Sequence, residues 1–282
     1  MADRLEFFEH DGLTFDVTHR GPADGRTVVM LHGFPEDRHE WSTLAETLIG
    51  DRYRVLAPDQ RGYSPGASPR DRSAYRMEAL VSDVLALADA AGADRMDLVG
   101  HDWGAAVSWA LAARYPERVR SLCALSVPHP GAMSQAVRRV GQALRSSYVV
   151  FFQLPWLPEH LLSAGNGHLM ANGLERSGLD RPTARRFAAR AAVPRALTGP
   201  LNWYRAVPLD GMAPPAHVQV PTLFVWGDRD RYIGRAAAEA CAQWVDGSYR
   251  FVALAGRTHW LPTTATEEVA AVLGEHLGTV PV

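Results

Sequence analysis

Cysteine is nearly missing from this chain: Cys123 and Cys241 are the only two among 282 residues, each inside an apolar segment. That excludes a disulfide-built scaffold and makes a reducing, cytoplasmic setting the expectation. Excess charge is missing too. The 29 basic residues nearly balance 31 acidic ones, for a net charge of −2 and a pI near 6.6. Nucleic acid and anionic membranes therefore have no electrostatic footprint to bind. No uninterrupted apolar run approaches the roughly 18 residues of a membrane span. The first residues, Met1-Ala2-Asp3-Arg4-Leu5-Glu6, show no secretory pattern. Internal repeats, low-complexity tracts, metal-ligand spacings and phosphate-loop or dinucleotide fingerprints are likewise missing, so no cofactor is expected. Apolar residues make up 47% of the chain, enough for a buried sheet.

What is present centres on Leu98-Val99-Gly100-His101-Asp102-Trp103-Gly104-Ala105-Ala106. An apolar strand ending runs through a Gly-x-Asp-x-Gly turn into a small-residue helix, expected over 105–115. This is the layout of a nucleophile elbow, in which a strained strand-to-helix turn lifts one side chain above a parallel sheet. Gly100 and Gly104 supply the bare flanks that such a turn requires. Asp102 stands where serine is usual. A carboxylate there, at a helix N-terminus that favours negative charge, would attack carbon and form an alkyl ester.

The remaining chain alternates strand and helix. Residues 4–10 and 13–20 suit an antiparallel hairpin turning at Asp11-Gly12. Residues 27–31 form a doubly covered strand that ends in His32-Gly33-Phe34-Pro35. A helix over 39–49, a strand over 53–57, a long loop over 58–66 and an amphipathic helix over 77–91 follow. After the elbow comes a strand over 119–127. Residues 129–215 then lose the alternation and read as irregular helices. Strands return at 222–226 and 249–254, with a helix near 235–244 and a last one at the end. The pattern predicts an α/β fold: a mostly parallel, doubly wound sheet, residues 1–128 and 216–282, with a helical insert at 129–215 lying over the carboxyl ends of the strands.

A nucleophile at an elbow needs a base and an orienting acid, expected in the order nucleophile, acid, histidine. Gly227-Asp228-Arg229-Asp230 follows one strand, and Asp230 is the preferred acid, with Asp228 as the local competitor. Ala255-Gly256-Arg257-Thr258-His259-Trp260 follows the last strand and supplies His259. An alkyl ester of Asp102 is stable to neutral water. Neutral His259 would deprotonate the water, and Asp230 would hold its tautomer. The oxyanion then needs donors, for which the backbone N–H groups of Trp103 and Phe34 are the candidates.

The elbow Gly-His-Asp-Trp-Gly, the His-Gly-Phe-Pro loop and Asp59-Gln60-Arg61-Gly62-Tyr63 resemble the α/β-hydrolase-fold epoxide hydrolases, and the resemblance runs from about residue 5 to 275. It implies an α/β-hydrolase fold with 129–215 as a cap. It also implies two cap tyrosines that bind and protonate the epoxide oxygen. One matches Tyr204 in Asn202-Trp203-Tyr204-Arg205, the other Tyr148 a few residues before Phe152-Gln153. Phe34, Trp103, Phe152 and Trp203 become candidate substrate contacts, and Trp156, Leu157, Leu161, Leu162, Met170 and Phe187 pocket or core residues. His129 reads as a structural histidine at the cap hinge. Two departures stand out: Ser64-Pro65-Gly66 lacks the commoner glycine pattern, and Gly-Arg-Thr-His replaces the frequent Cys-Gly-His before the base.

The nearest alternative shares the nucleophile. Hydrolytic dehalogenases of haloalkanes or haloacetates also use an elbow aspartate, yet they need halide donors and no phenolic acid. Haloalkane dehalogenases usually carry Asn where this chain has Phe34, and fluoroacetate dehalogenases a His-Trp pair where it has Phe151-Phe152-Gln153. Esterases would need serine at 102, and a silent binding relative would usually have lost its triad. The expected partners are a small apolar epoxide and water, with no nucleic acid and no membrane, on a monomer or homodimer.

Overall fold

A computed structural model describes residues 4–49, 52–193, 195–210 and 216–281. The strands are β1 (Phe7–His10), β2 (Leu13–Arg20), β3 (Arg26–Leu31), β4 (Tyr53–Pro58), β5 (Met96–His101), β6 (Val119–Leu125), β7 (Thr222–Gly227) and β8 (Tyr249–Leu254). They form one sheet in the order β1-β2-β4-β3-β5-β6-β7-β8. β1 and β2 pair antiparallel, as does β2 with β4, and every later pairing is parallel. The helices of the sheet region are α1 (Ser42–Ile49), α2 (Met77–Ala90) and α3 (Trp103–Arg114) before the insert.

The central strands are buried on both faces, so their side chains split by parity between two cores. Val28 and Met30 of β3 pack on one face with Leu44 of α1. Val29 and Leu31 pack on the other with Val84 and Leu87 of α2 and Val107 and Leu111 of α3. This is the doubly wound arrangement expected from strand–helix alternation.

Between β6 and β7 the described residues hold no strand. The insert contains α4 (Pro130–Ala136), α5 (Val140–Arg145), α6 (Ser147–Phe152), α7 (Leu157–Ser177), α8 (Arg181–Ala188) and α9 (Thr198–Ala206). α7 is two helical pieces, because Ala164–Gly167 leave helical geometry. The far boundary expected for the insert, residues 211–215, lies outside the described residues. After β7 come α10 (Arg235–Glu239), α11 (Leu261–Thr264) and α12 (Thr266–Thr279), the last adding Val269 and Leu273 to the α1 face. No helix among the described residues is long and apolar enough to cross a membrane.

Several element ends differ from expectation: the strand expected over 4–10 begins at Phe7, and the helix expected over 39–49 is a 3-10 turn through Trp41 before α1. The strand expected over 119–127 stops at Leu125, because Ser126 takes φ 68° and turns its hydroxyl toward the site. The helix expected over 235–244 is α-helical only to Glu239 and then tightens into a 3-10 turn, Ala240–Trp244.

Candidate active site

β5 delivers Asp102 directly to the N-terminus of α3, and Asp102 itself turns the corner with φ 49° and ψ −116°. A conformation of that kind in a non-glycine residue costs about 1–3 kcal/mol and persists only where its surroundings fix it. The flanking glycines fix it here. A Cβ on Gly104 would stand 2.0 Å from the Leu31 carbonyl oxygen, and one on Gly100 would stand 2.4 Å from the Gly104 carbonyl oxygen. Only bare backbone allows α3 to pack this closely beneath β3.

Three strand ends converge on the elbow. The Phe34 N–H, after β3, donates to Asp102 Oδ1 at 3.0 Å. The Trp103 N–H begins α3 and so has no acceptor within its own helix. His259, after β8, brings Nε2 to 3.3 Å from Asp102 Oδ2 and Nδ1 to 2.8 Å from Asp230 Oδ2. Asp230, after β7, is held by its other oxygen, which accepts from the N–H groups of Tyr232 at 2.7 Å and Ile233 at 2.9 Å. Asp228 turns away, and its Oδ1 accepts from Gly256 N–H at 2.7 Å.

The electrostatics follow from this geometry. Burial alone would push the His259 imidazole down. The charges of Asp230 and Asp102, with the hydrogen bonds they accept, outweigh burial and raise it to about 9. Burial would raise the Asp102 carboxyl, but the hydrogen bond and charge of His259 hold it below the ordinary aspartate value. With both ring nitrogens facing carboxylates, His259 is an imidazolium in the resting site.

The two tyrosine-bearing segments are tied to one another. Gln153 Nε2 donates to the Tyr204 carbonyl at 2.7 Å. Arg205 donates to the carbonyls of Phe152 at 3.0 Å and Leu154 at 2.8 Å, and its guanidinium grips Glu159 at 2.6 Å and 2.8 Å. Asn202 reaches the Arg70 carbonyl at 3.2 Å. The polar residues around Tyr204 thus serve its backbone and fix where its ring lies. The Tyr148 and Tyr204 rings meet edge to face at 6.0 Å. Burial, then nearby negative charge that includes Asp102, pushes both phenols well above their ordinary value. Both therefore carry their protons at neutral pH.

A cavity of about 280 Å³ joins these groups, lined by Asp102, His259, Tyr148 and Tyr204 together with Phe34, Phe152, Leu162 and Met170. Two expected contacts do not line it. Trp203 is buried behind the site, where its indole donates to the Arg61 carbonyl at 2.7 Å and its ring backs Trp103. The Trp103 ring packs against Trp203 and Tyr204 instead of facing the cavity. Of the further apolar candidates, Phe187 is core and Trp156 is 71% exposed. His129 takes the expected structural place: Nδ1 accepts from Gly131 N–H at 3.0 Å, and Nε2 lies 3.1 Å from the Ala216 carbonyl.

Sequence reasoning missed two features. Tyr232 lines the cavity two residues after Asp230, where only its aromatic character could have flagged it. Beneath the elbow, His101 Nδ1 stands 3.0 Å from Glu36 Oε2 and 2.6 Å from Glu40 Oε1, all with fully buried side chains. His101 Nε2 faces the His259 carbonyl at 3.0 Å, and Ser126 Oγ donates to that carbonyl at 2.6 Å. A carbonyl only accepts, so Nε2 carries a hydrogen. The cluster thereby pins the loop that carries His259. Burial and the neighbouring Glu36 charge hold the Glu40 carboxyl well above its usual range, so it keeps its proton.

Compared with known proteins, residues 26–264 match the family model described as alpha/beta hydrolase fold. The chain belongs to the α/β-hydrolase fold family. This hydrolase is 33% identical over 262 residues to Epoxide hydrolase 4 of Homo sapiens, covering 89% of the chain and 72% of that protein. It is 32% identical to Epoxide hydrolase A of Mycobacterium tuberculosis, with 95% of each covered. Among solved structures, Epoxide Hydrolase A from Mycobacterium thermoresistibile superposes with a TM-score of 0.82 at 28% identity, covering 98% of both chains. Epoxide hydrolase VrEH1 from Vigna radiata gives 0.83 at 30% identity, covering 96% of this chain and 97% of its own.

Proposed function

We propose that this α/β hydrolase opens small apolar epoxides to vicinal diols through an alkyl ester on Asp102, with residues 129–215 acting as a cap over the 1–128 and 216–282 core. In the first step an Asp102 carboxylate oxygen attacks an epoxide carbon. The ring C–O bond breaks, and its electron pair leaves as an alkoxide on the epoxide oxygen. Tyr148 and Tyr204 hold that oxygen, and one of them gives it a proton.

In the second step His259 takes a proton from water, and the hydroxide attacks the ester carbonyl. The Phe34 and Trp103 N–H groups hold the oxyanion. Collapse breaks the acyl C–O bond, the leaving oxygen takes the proton of the new carboxylic acid, and Asp102 is restored as a carboxylate as the diol departs. Alkylation itself prepares the base for this step. Esterification removes the Asp102 charge that helps to keep His259 protonated in the resting site, so its pKa falls, and the proton it gives up restores the tyrosine that protonated the alkoxide, leaving a neutral base.

The observation that carries this reading is the presence of two protonated phenols in the same cavity as the Asp102 carboxylate. A departing alkoxide needs a proton donor, whereas a departing halide needs none. The similarity to proteins named epoxide hydrolases supports the same reading. The test is a single turnover in heavy-oxygen water with a panel of epoxides beside haloalkanes. Unlabelled diol on the first turnover is expected, its new oxygen coming from Asp102. Labelled diol would mean direct attack by water, and halide release without diol would mean dehalogenation.

A further inference from the structure

Tyr232 is held from several sides. Its backbone N–H donates to Asp230 Oδ1 at 2.7 Å, and its carbonyl accepts from Gln142 Nε2 at 2.8 Å. Its ring packs edge to face against His259 at 4.9 Å, Tyr148 at 5.5 Å and Trp260 at 6.2 Å. The Trp260 indole it packs against donates to Ser177 Oγ at 2.9 Å, and that hydroxyl donates to the Leu174 carbonyl at 2.7 Å. A side chain anchored through its backbone and packed against three rings does not swing aside freely to admit a substrate.

The ring lines the cavity and touches both the base, His259, and Tyr148, one of the two phenols assigned to the epoxide oxygen. An epoxide whose oxygen lies at the phenols and whose carbon faces Asp102 therefore meets the Tyr232 ring on its His259 side. The same cavity also runs along Phe34, Phe152, Leu162, Met170 and the half-exposed Leu169. At about 280 Å³ the whole cavity lies just below the range of about 300–1,000 Å³ usual for ligand pockets.

We propose that Tyr232 is the specificity-determining residue of this site, closing its His259 side so that it takes terminal epoxides with one apolar substituent and rejects trans-1,2-disubstituted ones. A trans substituent points away from its partner across the ring and runs into Tyr232, and only hydrogen fits there. The inference rests on the epoxide reading above.

The experiment compares kcat/KM for a terminal epoxide and a trans-disubstituted epoxide bearing the same apolar group, on the wild-type enzyme and on Tyr232→Val and Tyr232→Phe. Pocket shape of this kind discriminates by about 10–200-fold. The expected wild-type preference for the terminal epoxide is at least about tenfold by the same reasoning. Tyr232→Val removes the ring and collapses the ratio toward one. Tyr232→Phe keeps the ring and retains the ratio. Should the valine variant fail to fold, Tyr232→Leu is read in the same way. A wild type that turns over both epoxides alike, or a valine variant with an unchanged ratio, overturns the role of Tyr232 and leaves the epoxide reading standing. A wild type that opens neither epoxide but releases halide from a haloalkane overturns the epoxide reading, and this inference with it.

Discussion

Asp230 Oδ2 lies 2.8 Å from His259 Nδ1, although Asp228, two residues earlier on the same loop, carries the same side chain. The loop uses Asp228 to hold Gly256 N–H and leaves Asp230 facing the imidazole. Asp230→Asn is expected to slow ester hydrolysis by about 10²-fold or more, in the range for an impaired general base. Asp228→Asn should cost little. Single-turnover decay of the Asp102 ester, followed by mass spectrometry, separates the two. Equal losses would show that both carboxylates serve the base.

The same contact sets a titration. His259 is raised to about 9 by both carboxylates, with the Asp230 charge contributing more than Asp102. NMR of its ring protons should therefore give a lower pKa in Asp102→Asn and a still lower one in Asp230→Asn. The folded-state pKa lies above the unfolded value of 6.5, so the stability this ionisation contributes is complete below pH 6.5 and is lost as pH rises through about 9. A ring titration left unmoved by either change would sever the proposed triad.

On the proposed mechanism, Tyr148 and Tyr204 should each matter to alkylation and not to hydrolysis. Tyr148→Phe and Tyr204→Phe are each expected to slow ester formation by about tenfold or more, near 1.4 kcal/mol per decade. The double variant should form almost no ester while keeping its melting temperature. Stopped-flow quenching of Trp fluorescence, with the quenched ester weighed as a check, reads the step directly. Ester formation at the parental rate in the double variant would favour a leaving group that needs no proton.

Glu40 makes a prediction about stability. Its folded pKa lies well above the usual 4.5, so the folded protein keeps a proton that the unfolded chain releases above that pH. Stability at this site therefore falls as pH rises past about 4.5, by up to about 1.4 kcal/mol per pH unit. Glu40→Gln removes the titration, so its melting temperature should gain on the wild type between pH 5 and pH 8. A difference that stays constant, or shrinks, across that range would mean that Glu40 is ionised in the fold.

Much of this molecule is written in short stretches of sequence, because short stretches obey local rules. Glycines at 100 and 104 dictate a turn that only bare backbone can make, and parity along residues 27–31 dictates a strand buried on both faces. The order Asp102, Asp230, His259 follows from one reactive residue at the end of each strand. Tertiary structure decided what depends on segments far apart in the chain. The choice of Asp230 over Asp228 depends on where β8 and its loop lie. Trp203 sits in the very motif that marks Tyr204, yet its indole is taken by the carbonyl of Arg61, 142 residues away. Nothing in the sequence marks Glu36 or Glu40 as partners of His101, which the fold brings against them from 65 residues beyond Glu36. Tyr232 is only one more aromatic until His259, Tyr148 and Trp260 close around it. Periodicity and turn chemistry act over a few bonds, whereas hydrogen-bond partners, burial and pKa values are set by whatever the fold brings alongside.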